Sequence, residues 1–204
     1  MLFDTSKEWP SSIFNAIVAP RPIGWISTCD AAGNVNLAPF SYFNAISATP
    51  PMVVFACNAP ADRKEKDTLA NVRATGEFCA NLASFDLRHA MNTTSATVAT
   101  GTDEFELAGL QKAANTKIRT PRVAASPAAL ECVVIRIVDL MPESPRERHC
   151  GLVIGRVVAV HVADEYLTDA GRFDSARARP LARLGGYNYT AVESLFEMGR
   201  PDAK

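Results

Sequence analysis

Between Pro22 and Cys57 the sequence leaves room for little except β-strands and the turns that join them. PIGWISTC (22–29) is β-rich, and Gly33–Asn34 in the AAGN cluster supplies the residue types of a tight turn into VNLAPFSYF (35–43), so the two runs read as a hairpin. A third strand, 52–57, is entered through the Pro50–Pro51 pair. Residues 62–75 are charged and helix-favouring, with Leu69 and Val72 three apart on one face, and predict a short helix. EFCANLA (77–83) restores a strand, and DLRHAM (86–91) reads as a short helix. ALECVVIRIVDLM (129–141) and CGLVIGRVVAVHV (150–162) are two further strands. Strands joined mostly by short turns, with few helices and no regular βαβ alternation, predict a mainly β fold: a closed antiparallel barrel with a few peripheral helices. No internal repeat or compositional break marks a linker, so one domain over 1–204 is expected.

Residues 92–129 are different. They lack strong periodicity, are rich in Thr, Ala and Pro, and predict a long excursion with a helical turn at 103–109. Loops of that length tend to be functional or to sit in an interface. The tail carries Arg172, Arg177, Arg179 and Arg183 against Asp174 alone, a set that reads either as a nucleotide-phosphate contact or as a solvated or subunit-contact loop.

Composition excludes several classes. A formal net charge of -1 offers no basic footprint for nucleic acid. No apolar stretch approaches the ~20 residues of a membrane span, and the N-terminal MLFDTSKEWP has no apolar signal core, so the cytoplasm is the expected compartment. The five cysteines are dispersed among apolar or small neighbours with no CxxC pair, and read as buried structural thiols. His89, His149 and His161 are scattered. GxGxxG, P-loop, GxSxG and HExxH signatures are missing, so no metal ion is expected, and an enzyme built on this chain would draw its chemistry from a bound organic cofactor.

The run RPIGWIST…NLAPFSYFNAIS, followed by KDTLANVR, resembles the flavin reductase-like family of FMN-binding split barrels, which includes flavoredoxin and the flavin-reductase components of two-component monooxygenases. The likeness continues through GTDEFELAGL, RVAASPAALEC and the terminal LGGYNY. It implies a split, Greek-key type barrel, FMN as cofactor (with FAD as the alternative), NAD(P)H as co-substrate, and a homodimer. It further implies an acceptor for the reduced flavin or its electrons: a monooxygenase component, a ferric complex or another carrier. The alternative within the same likeness is a non-catalytic FMN-holding electron carrier without its own nicotinamide site.

An FMN site needs a phosphate clamp, a flat slot and partners for the ring's polar edge. Lys66 and Thr68 stand where a loop enters the predicted helix, with Arg63 in reach, and an opening helical turn offers the N–H groups that phosphate calls for. Asp67 would cap the helix or point away. The resemblance implies that the strands ending in Ser27 and Thr28, and in Ala38, Pro39, Phe40 and Ser41, line the flavin. Pro39 marks an irregular segment that leaves neighbouring N–H groups free. Phe40 and Tyr42 read as ring contacts or as core, Asn58 as a polar contact or a turn former, and Trp25 as core. Relatives place a histidine near nicotinamide or flavin at about the position of His149. Hydride transfer obliges no acid–base residue, so positioning would be the protein's main contribution.

Overall fold

The computed structural model describes residues 2–4, 7, 10–144 and 147–201. Helix α1 (Ser11–Ile17) leads into β1 (Arg21–Pro22), β2 (Gly24–Cys29), β3 (Val35–Phe40), β4 (Phe43–Ala48) and β5 (Pro51–Asn58). Then come α2 (Asp67–Thr75), β6 (Glu77–Leu82), α3 (Arg88–Thr93), α4 (Glu104–Leu107), β7 (Lys112–Ala113) and β8 (Arg122–Val123). The long strands β9 (Ala128–Leu140) and β10 (Cys150–Val162) precede α5 (Ser175–Ala178), β11 (Leu181–Arg183) and β12 (Tyr189–Ala191). The fold is mainly β, as the strand pattern predicts.

Seven strands form one antiparallel sheet in the order β3-β2-β6-β9-β10-β5-β4. Its two edges, β3 and β4, are consecutive in the chain. Flat, six inter-strand spacings of about 4.8 Å would hold those edges about 29 Å apart. The step from Phe40 to Phe43 reaches at most about 11 Å. The sheet therefore curls until its edges meet, and a barrel split between β3 and β4 results. The run 35–43 is not one strand: β3 ends at Phe40, one residue before the Ser41 expected to close it, and at Ser41–Tyr42 the chain crosses from one edge to the other. Gly24 makes the crossing possible, because a Cβ there would lie 2.5 Å from the Phe43 ring.

The barrel interior is filled by Ile26, Val53, Phe55, Leu69, Val72, Phe78 and Val153, with Phe55 packed against Phe40 and Phe78 at centroid distances of 5.1 and 5.2 Å. Leu69 and Val72 are the apolar face of α2, which plugs this core. Gly155, where β10 is irregular in its pairing with β9, leaves the space that the Phe78 ring occupies; a Cβ would meet it at 2.5 Å. A second core lies outside the barrel wall, where Trp25, Leu37, Met91, Phe105 and Val123 pack beneath the long excursion. All six residues of β2 are buried, because both of its faces are covered. Trp25 is thus core, and its Nε1 donates to Thr94 Oγ1 at 2.9 Å.

Two carboxylates hold the excursion to the sheet. Glu77 accepts the N–H groups of Arg119 and Thr120 at 2.9 and 2.8 Å. Glu131 accepts those of Thr116 (3.0 Å) and Lys117 (2.6 Å), and the Thr116 hydroxyl at 3.0 Å. Burial alone would push the Glu131 carboxyl up, but these donors outweigh it and hold the group below its usual value. The stability it contributes is therefore present above the ordinary carboxylate range and is lost as pH falls through the lowered value. Urea unfolding should show Glu131→Gln less stable by about 1–3 kcal/mol at neutral pH. The difference should shrink in acid, and a gap that widened there would refute the assignment.

Candidate active site

The entrance of α2 faces a cavity of about 110 Å³. Its N-cap, Lys66, is extended and makes no side-chain cap, and the N–H groups of Asp67 and Thr68 find no acceptor among the described residues. Opposite stand Asn36, Ala38 and Pro39 of the edge strand β3. The remaining wall is Pro60 and Arg63, the 94–98 loop that follows α3, and Glu104 at the start of α4. Lys66 lies with its ammonium 5.3 Å from the Phe40 ring centroid. Arg63 binds the excursion, donating to Val98 O at 2.8 Å and Thr100 Oγ1 at 2.9 Å, and pairs with Asp67 at 3.4 Å. Asp67 does not cap its helix; its other oxygen accepts the Gly101 N–H at 3.0 Å.

A buried polar chain runs beneath this cavity. Glu104 accepts Asn36 Nδ2 on both oxygens (3.1 Å each) and the Leu37 N–H at 2.9 Å. Asn36 Oδ1 then accepts the hydroxyls of Thr68 at 2.6 Å and Thr28 at 3.3 Å, and Asn71 Nδ2 donates to Thr28 at 3.0 Å. Burial raises the Glu104 carboxyl above its usual value.

Of the residues singled out in the sequence, Ala38, Pro39, Arg63, Lys66, Asp67 and Thr68 are brought together around the cavity. Thr68 contributes backbone rather than side chain, since its hydroxyl donates to Asn36. Ser27 and Thr28 are fully buried and not on the wall; Ser27 donates to Pro121 O at 2.6 Å. Phe40 is a core residue. Ser41 sits in the bend between the edge strands, and the Tyr42 hydroxyl donates to Asn15 on α1 at 2.9 Å. Asn58 ends β5 opposite Cys150, off the cavity wall. His149 lies in an adjoining open groove of about 620 Å³ that shares Pro60 and Arg63 with the cavity and also carries Lys64, Arg73 and Arg148 beside the carboxylates of Glu65 and Asp139. Its Nε2 is 2.7 Å from Asp139, whose carboxyl is held below its usual value by Arg73 and then by His149.

In the tail, Arg179 stacks 4.0 Å from the Phe85 ring and pairs with Asp86 and Glu193, and Arg183 lies over Tyr189 at 4.4 Å. Both are engaged within the chain. The sequence reading missed Asn36, the 94–98 loop and Glu104. The available signal was the hydroxyl-rich NTTSATVATGT inside a long excursion, whose Thr94 is the residue that Trp25 holds.

A family model described as a flavin reductase-like domain matches residues 18–179, and the chain belongs to that family. It is 34% identical over 195 residues to an uncharacterised protein of Deinococcus radiodurans, covering 92% of this chain and 83% of that one. Its structure is similar to nitrilotriacetate monooxygenase component B from Bacillus cereus, with a TM-score of 0.88 and 29% identity over 97% of this chain and 98% of that one. A Shewanella frigidimarina protein with a split-barrel domain shares the fold at a TM-score of 0.81 and 22% identity, over 94% and 91% of the two chains. The protein is thus a split-barrel member of the flavin reductase-like family.

Its thiols are placed for packing. Burial pushes Cys57 and Cys79 up to about 12 and raises Cys132 and Cys150 as well, so thiolate is scarce near neutrality. Only Cys150 is not fully buried. A thiol-titrating disulfide reagent should find no more than one reactive cysteine in the native protein and five after denaturation. Rapid native modification of two or more would contradict this packing.

Proposed function

We propose that the cavity at the α2 entrance receives the phosphate of FMN and that the protein is an NAD(P)H-dependent flavin reductase. The observation that carries this reading is the uncapped start of α2, with two unpartnered N–H groups and a lysine turned to a cavity that Arg63 and the hydroxyl-bearing 94–97 loop also border. That donor set suits a phosphate dianion. The cavity accommodates a phosphate and part of its chain but not a three-ring system, which leaves the ring to the open edge beside Pro39. There β3 is a sheet edge, and apart from the Leu37 N–H, which Glu104 accepts, its outward backbone groups have no ladder partner and face the polar rim of a flavin. FAD would use the same phosphate contact.

Bound FMN supplies a centre that takes hydride from a nicotinamide and passes electrons on. The chain's own task is placement. Lys66 would balance the phosphate charge, the first turn of α2 would bind its oxygens, and Ala38 and Pro39 would offer a small, flat edge, while Arg63, held by Asp67, Val98 and Thr100, offsets the Asp67 carboxylate on the same wall. No residue need move a proton for hydride transfer. The groove containing His149, Lys64 and Arg148 adjoins the site and is the natural approach for a phosphate-bearing nicotinamide nucleotide.

Exposed apolar side chains, among them Ile46, Ile135, Val160 and Phe196, support a homodimer whose second copy covers the open side of the flavin. The likeness to a monooxygenase component B supports delivery of reduced flavin or electrons to a separate oxygenase or another acceptor.

The test is spectroscopic. Protein reconstituted with FMN should bleach its visible flavin band on anaerobic addition of NADH or NADPH. Lys66→Met should weaken FMN by about tenfold or more while leaving riboflavin, which lacks the phosphate, little changed. Tight FMN binding with neither nucleotide oxidised would replace the reductase reading with an electron carrier, and failure to bind FMN or FAD would overturn both.

A further inference from the structure

Glu104 is a buried carboxylate, 5% exposed, with no lysine or arginine paired to it among the described residues. A charge in such a place is costly unless donors surround it. Here the donors are the two contacts from Asn36 Nδ2 and the Leu37 N–H. If α4 needed only an anchor on β3, an apolar side chain would serve, as Phe105 beside it does in the outer core. A carboxylate does something an apolar residue cannot. It accepts only, so it turns the NH₂ end of Asn36 toward itself and the oxygen toward α2. That oxygen then receives Thr68 at 2.6 Å and Thr28 at 3.3 Å.

The geometry points to Glu104 as a positioning residue for the flavin site, acting through Asn36 and Thr68 to set the distance between the β3 edge and the start of α2. Asn36 lies two residues before Ala38 on one wall of the cavity, and Thr68 lies two residues after Lys66 on the other. Neither wall is bound to the other by a sheet ladder. The Glu104–Asn36–Thr68 chain is the polar tie across the gap, and the phosphate clamp and the ring edge keep their separation through it. This inference rests on the flavin reading above, and it assigns Glu104 no chemical step.

The test measures FMN dissociation constants by quenching of flavin fluorescence, with the visible circular dichroism of the bound flavin as a second readout. Glu104→Leu removes the acceptor and should weaken FMN by about tenfold or more, with an altered flavin dichroism. Glu104→Gln keeps one acceptor oxygen and should restore both to within about threefold of the natural protein. Thr68→Val should weaken FMN, and the Glu104→Leu/Thr68→Val double variant should be no worse than the weaker single one, because both act on the same tie. Should Glu104→Leu fail to fold, Glu104→Asp serves instead. It retains the charge, withdraws the oxygens by one methylene, and should weaken FMN by about fivefold or more.

A variant without the acceptor that binds FMN within about twofold of the natural protein overturns the inference, as does strict additivity in the double variant. In both cases the flavin reading stands. Natural protein that binds no flavin overturns that reading, and this inference with it.

Discussion

Phe40 and Phe43 are near neighbours in the chain and belong to opposite edges of a seven-stranded sheet. A two-residue link cannot join the edges of a flat sheet of that width, so the connection at Ser41–Tyr42 obliges closure. Much else depends on it. The closed sheet encloses the Phe55–Phe78 core and lets the apolar face of α2 seal it. It also leaves a seam where β3 has backbone groups with no ladder partner. Gly24 is the steric counterpart of the link, since the Phe43 ring occupies the space that a side chain there would need.

The seam creates the site and also a problem. An unpaired edge is a liability in most β-proteins, and here one face of β3 is covered by the excursion that runs between β6 and β9. That covering segment has little regular structure of its own. It is held by the outer core around Trp25 and by carboxylates used as backbone acceptors: Glu77 and Glu131 at one end, Asp67 and Glu104 at the other. The packing that protects the edge also brings the 94–98 loop and Glu104 to the cavity. Structure and site are two uses of the same contacts.

The strands expected at 22–29, 52–57, 77–83, 129–141 and 150–162, and a helix ending at Thr75, were legible because each follows from local rules: alternation, turn residues, and an apolar pair at helical spacing. That Lys66, Arg63 and Pro39 stand beside a helix entrance and an irregular strand was legible for the same reason, since both features are local. Ser27, Thr28, Phe40 and Tyr42 lie in the expected segments but do not turn their side chains to the cavity. Each sits in a segment that borders the site, but its side chain faces Pro121, Asn36, the barrel core or α1. Which face a strand residue turns to ligand depends on what covers the sheet, and β2 is covered on both sides. β4 was not legible, because most of its residues are not buried and the run has no apolar alternation.

The sequence by itself determined the mainly β class, the position of the α2 entrance and the likeness to flavin reductases. These depend on residue type and short spacing. Only the tertiary structure decided that Asn36, Thr68 and Glu104 form one buried chain, that Asp67 holds a loop rather than capping a helix, and that His149 lies in a groove beside the cavity. The hydrogen bonds among these join residues 32 to 68 positions apart. Such partners are chosen by the closure of the sheet, and no local pattern in the chain records them.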